Sequence, residues 1–449
     1  MDAGGFETSP RDTEESMKNL KKIASMLSLA VMGLAVCFHL APIRGVQAAK
    51  GPEEPAAQSA EYRVLDPIES GAVTLYPIAR IAAESHAADW RYITLDEGLQ
   101  SGKVVITEAG KAAGLARNRR QRDGVGEDAG AYDSVNTLVL VNNSAHPLVL
   151  LAGEIVTGGR QDRIIAKDRI VMPHSAPLDL SVFCIEPHRW TELSDKFGSA
   201  GAVAHHSMIV EPSVRLQAMD AQNQQEVWNA VNKSVAAAHP AMAMRSTTRI
   251  GGSDVHGSGS QDAGSGGSYA EPAATSSYAR AMAEPGQQQE IDKVAAPALV
   301  NDSAMPERLR KQNVVGIVAA INGHILWADL FATPELLQAY WGKLVRSYAA
   351  ESLHDSEALG PAASREEALK FIVTVVKGEE TSEGSAGIYR YFEVQGTRDS
   401  EFTLQVTLPG TGFDLHRARM VHEKSEKQGT LYRDTIPGYR LRPRPGVIY

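Results

Sequence analysis

The chain runs to 449 residues, 43% hydrophobic and 22% charged, with a net charge of −9 from 45 basic and 54 acidic side chains. That length and apolar content suffice for one large domain or two medium ones with a buried core. The acidic balance argues against sequence-independent nucleic-acid binding and against a general attraction to anionic lipid, since both need a basic face.

In chain order, the first legible segment is residues 17–48, MKNLKKIASMLSLAVMGLAVCFHLAPIRGVQA. Lys18, Lys21 and Lys22 make a positive start, an apolar run follows from Ile23 to Leu40, and Val46 and Ala48 put small side chains where a signal peptidase inspects them. Residues 1–48 are therefore read as a signal peptide cleaved after Ala48, and the product as exported, periplasmic or extracellular. The residues ahead of Met17 are polar and acidic, unlike such a leader, which points to Met17 as the translation start. An uncleaved anchor is the rival reading, because the apolar run approaches bilayer length. Leu34-Ala35-Val36-Cys37 makes a poor lipoprotein box: valine precedes the cysteine and apolar sequence continues past it. Cleavage removes Cys37 and leaves Cys184 alone, so the mature chain has no internal disulfide to form. No later stretch is apolar for long enough to span a membrane.

Residues 60–240 are dominated by strand signals. Val73 to Ile78 opens them, and a short helix follows with Thr94 and Glu97 as its capping box and Gly102 just past its end. Lys103–Thr107 is the next strand. Thr137–Val141 and Leu148–Leu151 flank Asn142-Asn143-Ser144 and read as a hairpin, with further strands at Arg163–Val171 and Leu178–Ile185. Val227, Trp228, Val231 and Val235 then recur at helical spacing. Residues 241–290 read as a flexible linker or insertion, because twelve of the twenty residues from Gly251 to Ala270 are glycine or serine.

Residues 291–449 read as a mixed helix–strand half of the same module. Val314–Ala320 and His324–Leu330 flank the tight-turn pair Asn322-Gly323. Thr333 and Pro334 open a helix that lines up Leu337, Tyr340, Trp341, Leu344 and Tyr348, a face that suits core packing better than a cofactor box. Ser364 and Glu367 cap another helix, expected to end at Gly378. Ile388–Val394 and Phe402–Leu408 read as a closing hairpin, with a last strand at Leu415–His422. A strand-rich first half and a mixed second half give an α+β fold class, without internal repeats.

One passage, LLAGEIVTGGRQDRIIAKDRIVMPHSAPLDLSVFCIEPHRW from Leu150, carries a resemblance. The succession Gly153-Glu154, Gly158-Gly159-Arg160-Gln161-Asp162-Arg163, Cys184-Ile185-Glu186 and Arg189-Trp190 resembles the ARG and Rhodanese-Phosphatase-superfamily-associated Protein domain family. Tyr92–Gly102 and Gly316–Phe331 fit the same pattern, so the likeness spans roughly residues 68–425. The Gly/Ser insertion and the tail after His422 depart from the family's compact form. The resemblance implies a fold grouping and no reaction type.

The same segment is the best candidate site on physical grounds. A Gly-Gly pair after a strand permits positive φ or close approach of another group, and Arg160, Gln161, Asp162 and Arg163 gather donors and an acceptor beside it. Such a turn can hold a small anionic ligand, phosphate or carboxylate, through bidentate arginine contacts. It reads equally as a buried ionic network, or as a solvated surface turn whose ion pair contributes little. Glu154 and Glu186 both end apolar strands and can face one another as an acid–base pair or meet arginines such as Arg163 and Arg189. The expected polar pocket is thus Glu154, Arg160, Gln161, Asp162, Arg163, Glu186 and Arg189. Three functions fit it: an extracytoplasmic binding or structural module, a hydrolase using Glu154 or Glu186 as general base, or a protein–protein adaptor.

Cys184, between Phe183 and Ile185, reads as a core cysteine; His188 lies too far along a strand to activate it. His205-His206 would face opposite ways on an extended chain. With no HExxH, CxxC or HxH spacing, neither a metal nor a cofactor is expected.

Overall fold

The structure is a computed structural model. It describes residues 57–81, 91–109, 137–187, 189, 191–199, 207–238, 276–302, 304–354, 360–409 and 411–422. The leader at 1–48, His188, Trp190, His205-His206 and the Gly/Ser-rich stretch lie outside these. The described residues belong to one compact unit.

The first half of the chain supplies β1 (Tyr62–Val64), β2 (Ile68–Ser70), β3 (Val73–Arg80), α1 (Leu95–Gln100), β4 (Val104–Glu108), β5 (Thr137–Asn142), β6 (Leu148–Leu150), β7 (Ile155–Thr157), β8 (Arg163–Ile165), β9 (Arg169–Val171), β10 (Leu178–Cys184) and β11 (Gly198–Ser199). Next come α2 (Pro212–Leu216), α3 (Gln224–Ala238), α4 (Tyr278–Met282), α5 (Pro285–Ala295) and α6 (Glu307–Lys311). The remainder is β12 (Val314–Ile321), β13 (His324–Phe331), α7 (Pro334–His354), α8 (Arg365–Val373), β14 (Gly378–Ser385), β15 (Tyr389–Gly396), β16 (Asp399–Val406) and β17 (Phe413–Val421).

Two residues with positive φ, Asn322 at 51° and Gly323 at 86°, close the β12–β13 hairpin as its sequence predicts. Around that hairpin grows a nine-stranded antiparallel sheet in the order β1-β3-β12-β13-β17-β16-β15-β14, with β2 also on β3. β3 docks on β12 with Tyr76 opposite Val318, so strands from both ends of the chain share one sheet and one core. The α+β reading holds.

Both faces of the central strands are covered, which is why all eight residues of β3 and of β12 are buried. On one face α8 brings Ala368 and Ile372 against Tyr76, Ile78, Val318 and Leu330. On the other, α7 sets Leu337, Tyr340, Trp341, Leu344 and Tyr348 into the largest core, with Ile317, Trp327 and Phe331. The Thr333 hydroxyl accepts from the Leu336 amide at the head of α7. A six-stranded sheet, β11-β7-β8-β10-β5-β4, closes a second core with α1, whose Thr94–Glu97 capping box is formed. No helix among the described residues is long and apolar enough to cross a membrane.

Several expectations need correction. β5 and β6 do not form a hairpin: β5 pairs with β4 and β10, and β6 with β9. The buried Asn142 side chain explains this. It accepts from the Ser144 amide at 3.0 Å and donates to His146 O and Val171 O, turning the chain aside where a tight reverse turn was expected. Arg163–Val171 is two strands, broken so that Asp168 can enter the core. The helix after Ser364 stops at Val373, because Val373-Thr374-Val375-Val376 is a β-branched run. The linker expected to reach residue 290 ends earlier, since α4 and much of α5 fall inside it. Ser277 caps α4, and Tyr278, fully buried, anchors it in the large core.

Candidate functional site

β7 leads into Gly158 and Gly159, whose φ angles are 130° and 50°. Both glycines are required, and by the protein's own chain. A Cβ on Gly158 would meet Ser194 Oγ at 2.5 Å and Lys196 O at 2.9 Å, and one on Gly159 would strike the Phe197 ring and Glu108 Oε1. The close approach that the sequence allows is taken up by the segment 194–197.

Asp162, just past the glycines, is 2% exposed. Its carboxylate accepts from the Gly158 amide at 3.1 Å and from Ser277 Oγ at 2.7 Å, while its own amide donates to Glu186 Oε2 at 3.1 Å. Arg189 closes the cluster: it lies 2.5 Å from Glu186 and 3.4 Å from Asp162, and donates to Gly159 O at 3.0 Å and Thr191 O at 2.8 Å. Burial pushes the Asp162 carboxyl above the usual range, and the Glu186 charge adds to this despite the Ser277 hydrogen bond. Asp162, Glu186 and Arg189 therefore come together as the sequence suggests, wrapped around the double-glycine turn.

The other candidates separate. Arg160 is exposed, and its amide donates to Glu108 Oε1 at 3.0 Å. Gln161 is fully buried, and neither end of its amide has a hydrogen-bond partner among the described residues. Arg163 is 1% exposed and cross-strand from Cys184. Burial lowers the Arg163 guanidinium and raises the Cys184 thiol, whose neighbour Arg163 only partly offsets it. Cys184 is a buried free thiol, and Gln224 bridges its backbone from α3, accepting from its amide and donating to its carbonyl at 2.9 Å each.

Glu154 belongs to a different cluster. It sits 1% exposed, 2.6 Å from the Lys343 ammonium of α7, and that ammonium also reaches Asp96 of α1 at 2.9 Å. Ser207 donates to Asp96 at 2.8 Å, and Ser199 does so too. Burial alone would lower Lys343, but Glu154 and Asp96 outweigh it and hold the ammonium above its ordinary value. Of the two carboxylates sharing that cation, Asp96 is lowered, because Lys343 outweighs its burial, and the deeper Glu154 is raised by burial. Glu154 and Glu186 thus answer to different cations and do not make a facing pair.

Two further clusters escaped sequence reasoning. His416 of β17 is fully buried, 2.6 Å from Asp168 and 3.0 Å from Asp329 of β13. Asp329 also receives Arg215 at 2.9 Å and the Tyr348 hydroxyl at 2.5 Å, and Asp168 accepts from the Ala152 amide at 2.7 Å. Burial would raise Asp329, but Arg215 and His416 hold it down at about 2. Burial would lower His416, and Asp168 and Asp329 keep it raised. Arg215 and His416 thus face the carboxylates of Asp329 and Asp168, with all four side chains buried. The only sequence hint was Asp329 itself, a carboxylate inside the apolar run His324–Phe331. The second cluster joins Glu211, Glu351 and His354, with His354 Nδ1 3.0 Å from Glu211 and Ser234 donating to the same carboxylate. Burial, reinforced by the charge of Glu211, lifts the Glu351 carboxyl to about 7.

Chemically, these groups are arranged to hold protons and charges in place. None of the candidates lines the apolar cavity of about 10 Å³ walled by Ile68, Val73, Leu75, Ala298 and Val345, a space of about one water. Among the described residues, no group of three or more His, Cys, Asp or Glu side chains has the geometry to hold a metal.

No curated protein and no solved structure matches the chain. A family match does cover residues 61–422, from the residue before β1 to the residue after β17, and so takes in every strand and all four ionic clusters. On that match, the chain belongs to the ARG and Rhodanese-Phosphatase-superfamily-associated Protein domain family.

Proposed function

We propose that this chain is an exported binding or structural module, with the Gly158–Arg163 turn as part of its internal frame. One observation carries the reading. The carboxylates of Glu154, Asp162 and Glu186 each end on a donor of the same chain, Lys343 at 2.6 Å, Ser277 at 2.7 Å and Arg189 at 2.5 Å. Export rests on the leader at residues 17–48, and placement outside the cytoplasm, periplasmic or extracellular, follows from it. The hydrolase alternative fits less well, since Glu154 and Glu186 are 1% and 2% exposed and a general base must reach the proton it removes.

The test compares melting temperatures of the mature chain with those of Glu154→Gln, Asp162→Asn, Arg163→Met and Glu186→Gln. A fall in all four, with each substitution costing about 3–5 kcal/mol, supports a frame. Unchanged or higher values would overturn it. Cell fractionation with N-terminal sequencing tests export separately: an extracytoplasmic chain beginning at Ala49 is expected, and an intact precursor in the cytoplasm refutes it.

Gln161 favours a second reading, a small anionic ligand at the turn. A fully buried amide with both ends unpartnered among the described residues invites a polar guest, and Arg160 stands exposed beside it. Inorganic phosphate and citrate should then raise the melting temperature of the wild type and not of Arg160→Ala. No shift with either anion removes this reading.

A further inference from the structure

Among the described residues, nothing covers one end of the main sheet. β14 pairs with β15 along all eight of its residues, and among the described residues no backbone hydrogen bond reaches its outer side. Seven of the eight residues are exposed. An unpaired edge of this length is a template for another extended chain. Its chemistry is acidic. By the pairing register, Glu379, Thr381 and Glu383 share a face with Gln395, Glu393 and Tyr391. Lys167 lies 3.7 Å from Glu383 but is closer to Glu393, at 2.7 Å, and no ion pair engages Glu379 or Glu380 among the described residues. The edge therefore suits an extended basic segment.

Such a segment occurs in the same chain, outside the described residues: Tyr439-Arg440-Leu441-Arg442-Pro443-Arg444-Pro445. Arg440, Arg442 and Arg444 stand two apart, so an extended backbone puts all three on one face. The same alternation governs the backbone. If the arginine amides turn toward β14, Leu441, Pro443 and Pro445 turn outward, and the two missing proline donors face away from the ladder. An edge strand tolerates proline there, and prolines so placed stop further strands from adding.

The attachment point suits this. β17 ends at Val421 opposite Asp399, beside the β15–β16 turn, and Gly378 at the start of β14 lies opposite Gly396 at that same turn. Three inter-strand steps, about 14 Å, separate the two. Residues 423–438 extend to about 53 Å, enough to reach any point along β14.

We infer that residues 440–444 add in cis to the outer edge of β14 as a final strand, with their arginines against Glu379 and Glu383. A second copy of β14 fits the edge poorly, because glutamates would oppose glutamates. The inference does not depend on the reading of the ionic frame.

Hydrogen exchange of the full mature chain tests it. The amides of β14 are compared between the wild type, the Arg440→Glu, Arg442→Glu, Arg444→Glu triple variant, and that triple combined with Glu379→Lys and Glu383→Lys. Outer-edge amides should exchange roughly tenfold faster in the triple variant and regain protection in the combined one. A chain stopped after Asp434 should match the triple variant, which checks the result without new charges, and β12 and β13 amides report that the fold is intact. Equal exchange in the wild type and the truncated chain would overturn the inference. So would protection that rises with protein concentration, which would place the strand in a second copy.

Discussion

Ser277 donates to the Asp162 carboxylate at 2.7 Å from 115 positions further along the chain, and its hydroxyl also accepts from the Arg280 amide at 3.2 Å. One side chain thus caps α4 and fastens it to the double-glycine turn. Ser277→Ala removes both roles, and the expected cost is about 2 kcal/mol. Asp162→Asn, which disturbs the whole buried cluster, should cost about 3–5 kcal/mol, and the double variant less than the sum by about 1 kcal/mol. Urea denaturation of the four proteins reads the coupling; simple additivity would mean the contact contributes nothing.

Lys343 is the only cation within ion-pair distance of Glu154 among the described residues. Lys343→Met leaves the buried Glu154 without its cation and should cost about 3–5 kcal/mol. Adding Glu154→Gln removes the stranded charge and should recover much of that loss. A double variant as unstable as Lys343→Met alone would show that the lysine acts through its alkyl packing.

Glu351 gives a pH dependence with a definite sign. Its carboxyl, near 7 in the folded chain, lies above its ordinary value, so the folded state holds the proton more tightly than the unfolded one. The resulting stability is complete below about pH 4.5 and is lost as pH rises through 7. His354, also raised because Glu211 outweighs its burial, loses stability in the same direction. Glu351→Gln should flatten the decline between pH 5 and 8 by on the order of 2 kcal/mol, read from urea midpoints across that range. An unchanged slope would mean the proton resides elsewhere in the cluster.

Gly159 and Gly71 make a matched comparison. Both have positive φ, 50° and 58°, but a Cβ on Gly71 meets nothing within 4 Å, whereas one on Gly159 runs into Phe197 and Glu108. Gly71→Ala should cost about 1–2 kcal/mol for the left-handed backbone alone. Gly159→Ala should exceed it by roughly 2 kcal/mol or more, because a packed neighbour has to move. Equal melting temperatures would show that the 194–197 segment yields freely.

Local chemistry was legible in the sequence wherever it acts within a few residues. The Thr94–Glu97 and Ser364–Glu367 capping boxes, the Asn322-Gly323 turn and the inner face of α7 are where the residues place them. Pairing across long separations was not legible. Leu148–Leu150 carries a strand pattern, yet nothing in it selects β9 over β5 as partner. β14 reads Gly-Glu-Glu-Thr-Ser-Glu-Gly-Ser and offers no apolar alternation; its strand character comes from backbone pairing with β15, which its side chains do not announce. The site divided in the same way. Asp162, Glu186 and Arg189 were found because they stand out as polar residues within one passage of about forty residues, whereas Lys343, Asp96 and His416 meet their partners only through the fold. A lysine in mid-helix or a histidine in a late strand looks like surface chemistry until its carboxylates arrive.

The placement of β3 beside β12 also bears on how the chain is assembled. Tyr76 finds its opposite residue, Val318, only after more than half the polypeptide has been made, so a nascent N-terminal half can close the six-stranded sheet but not the nine-stranded one. Such long-range pairing folds slowly, because the intervening chain must be ordered before the contact forms. It also means that cutting the chain between Ala238 and Ser276 should give two pieces that depend on each other. Neither would hold the nine-stranded sheet alone, and mixing them should restore it.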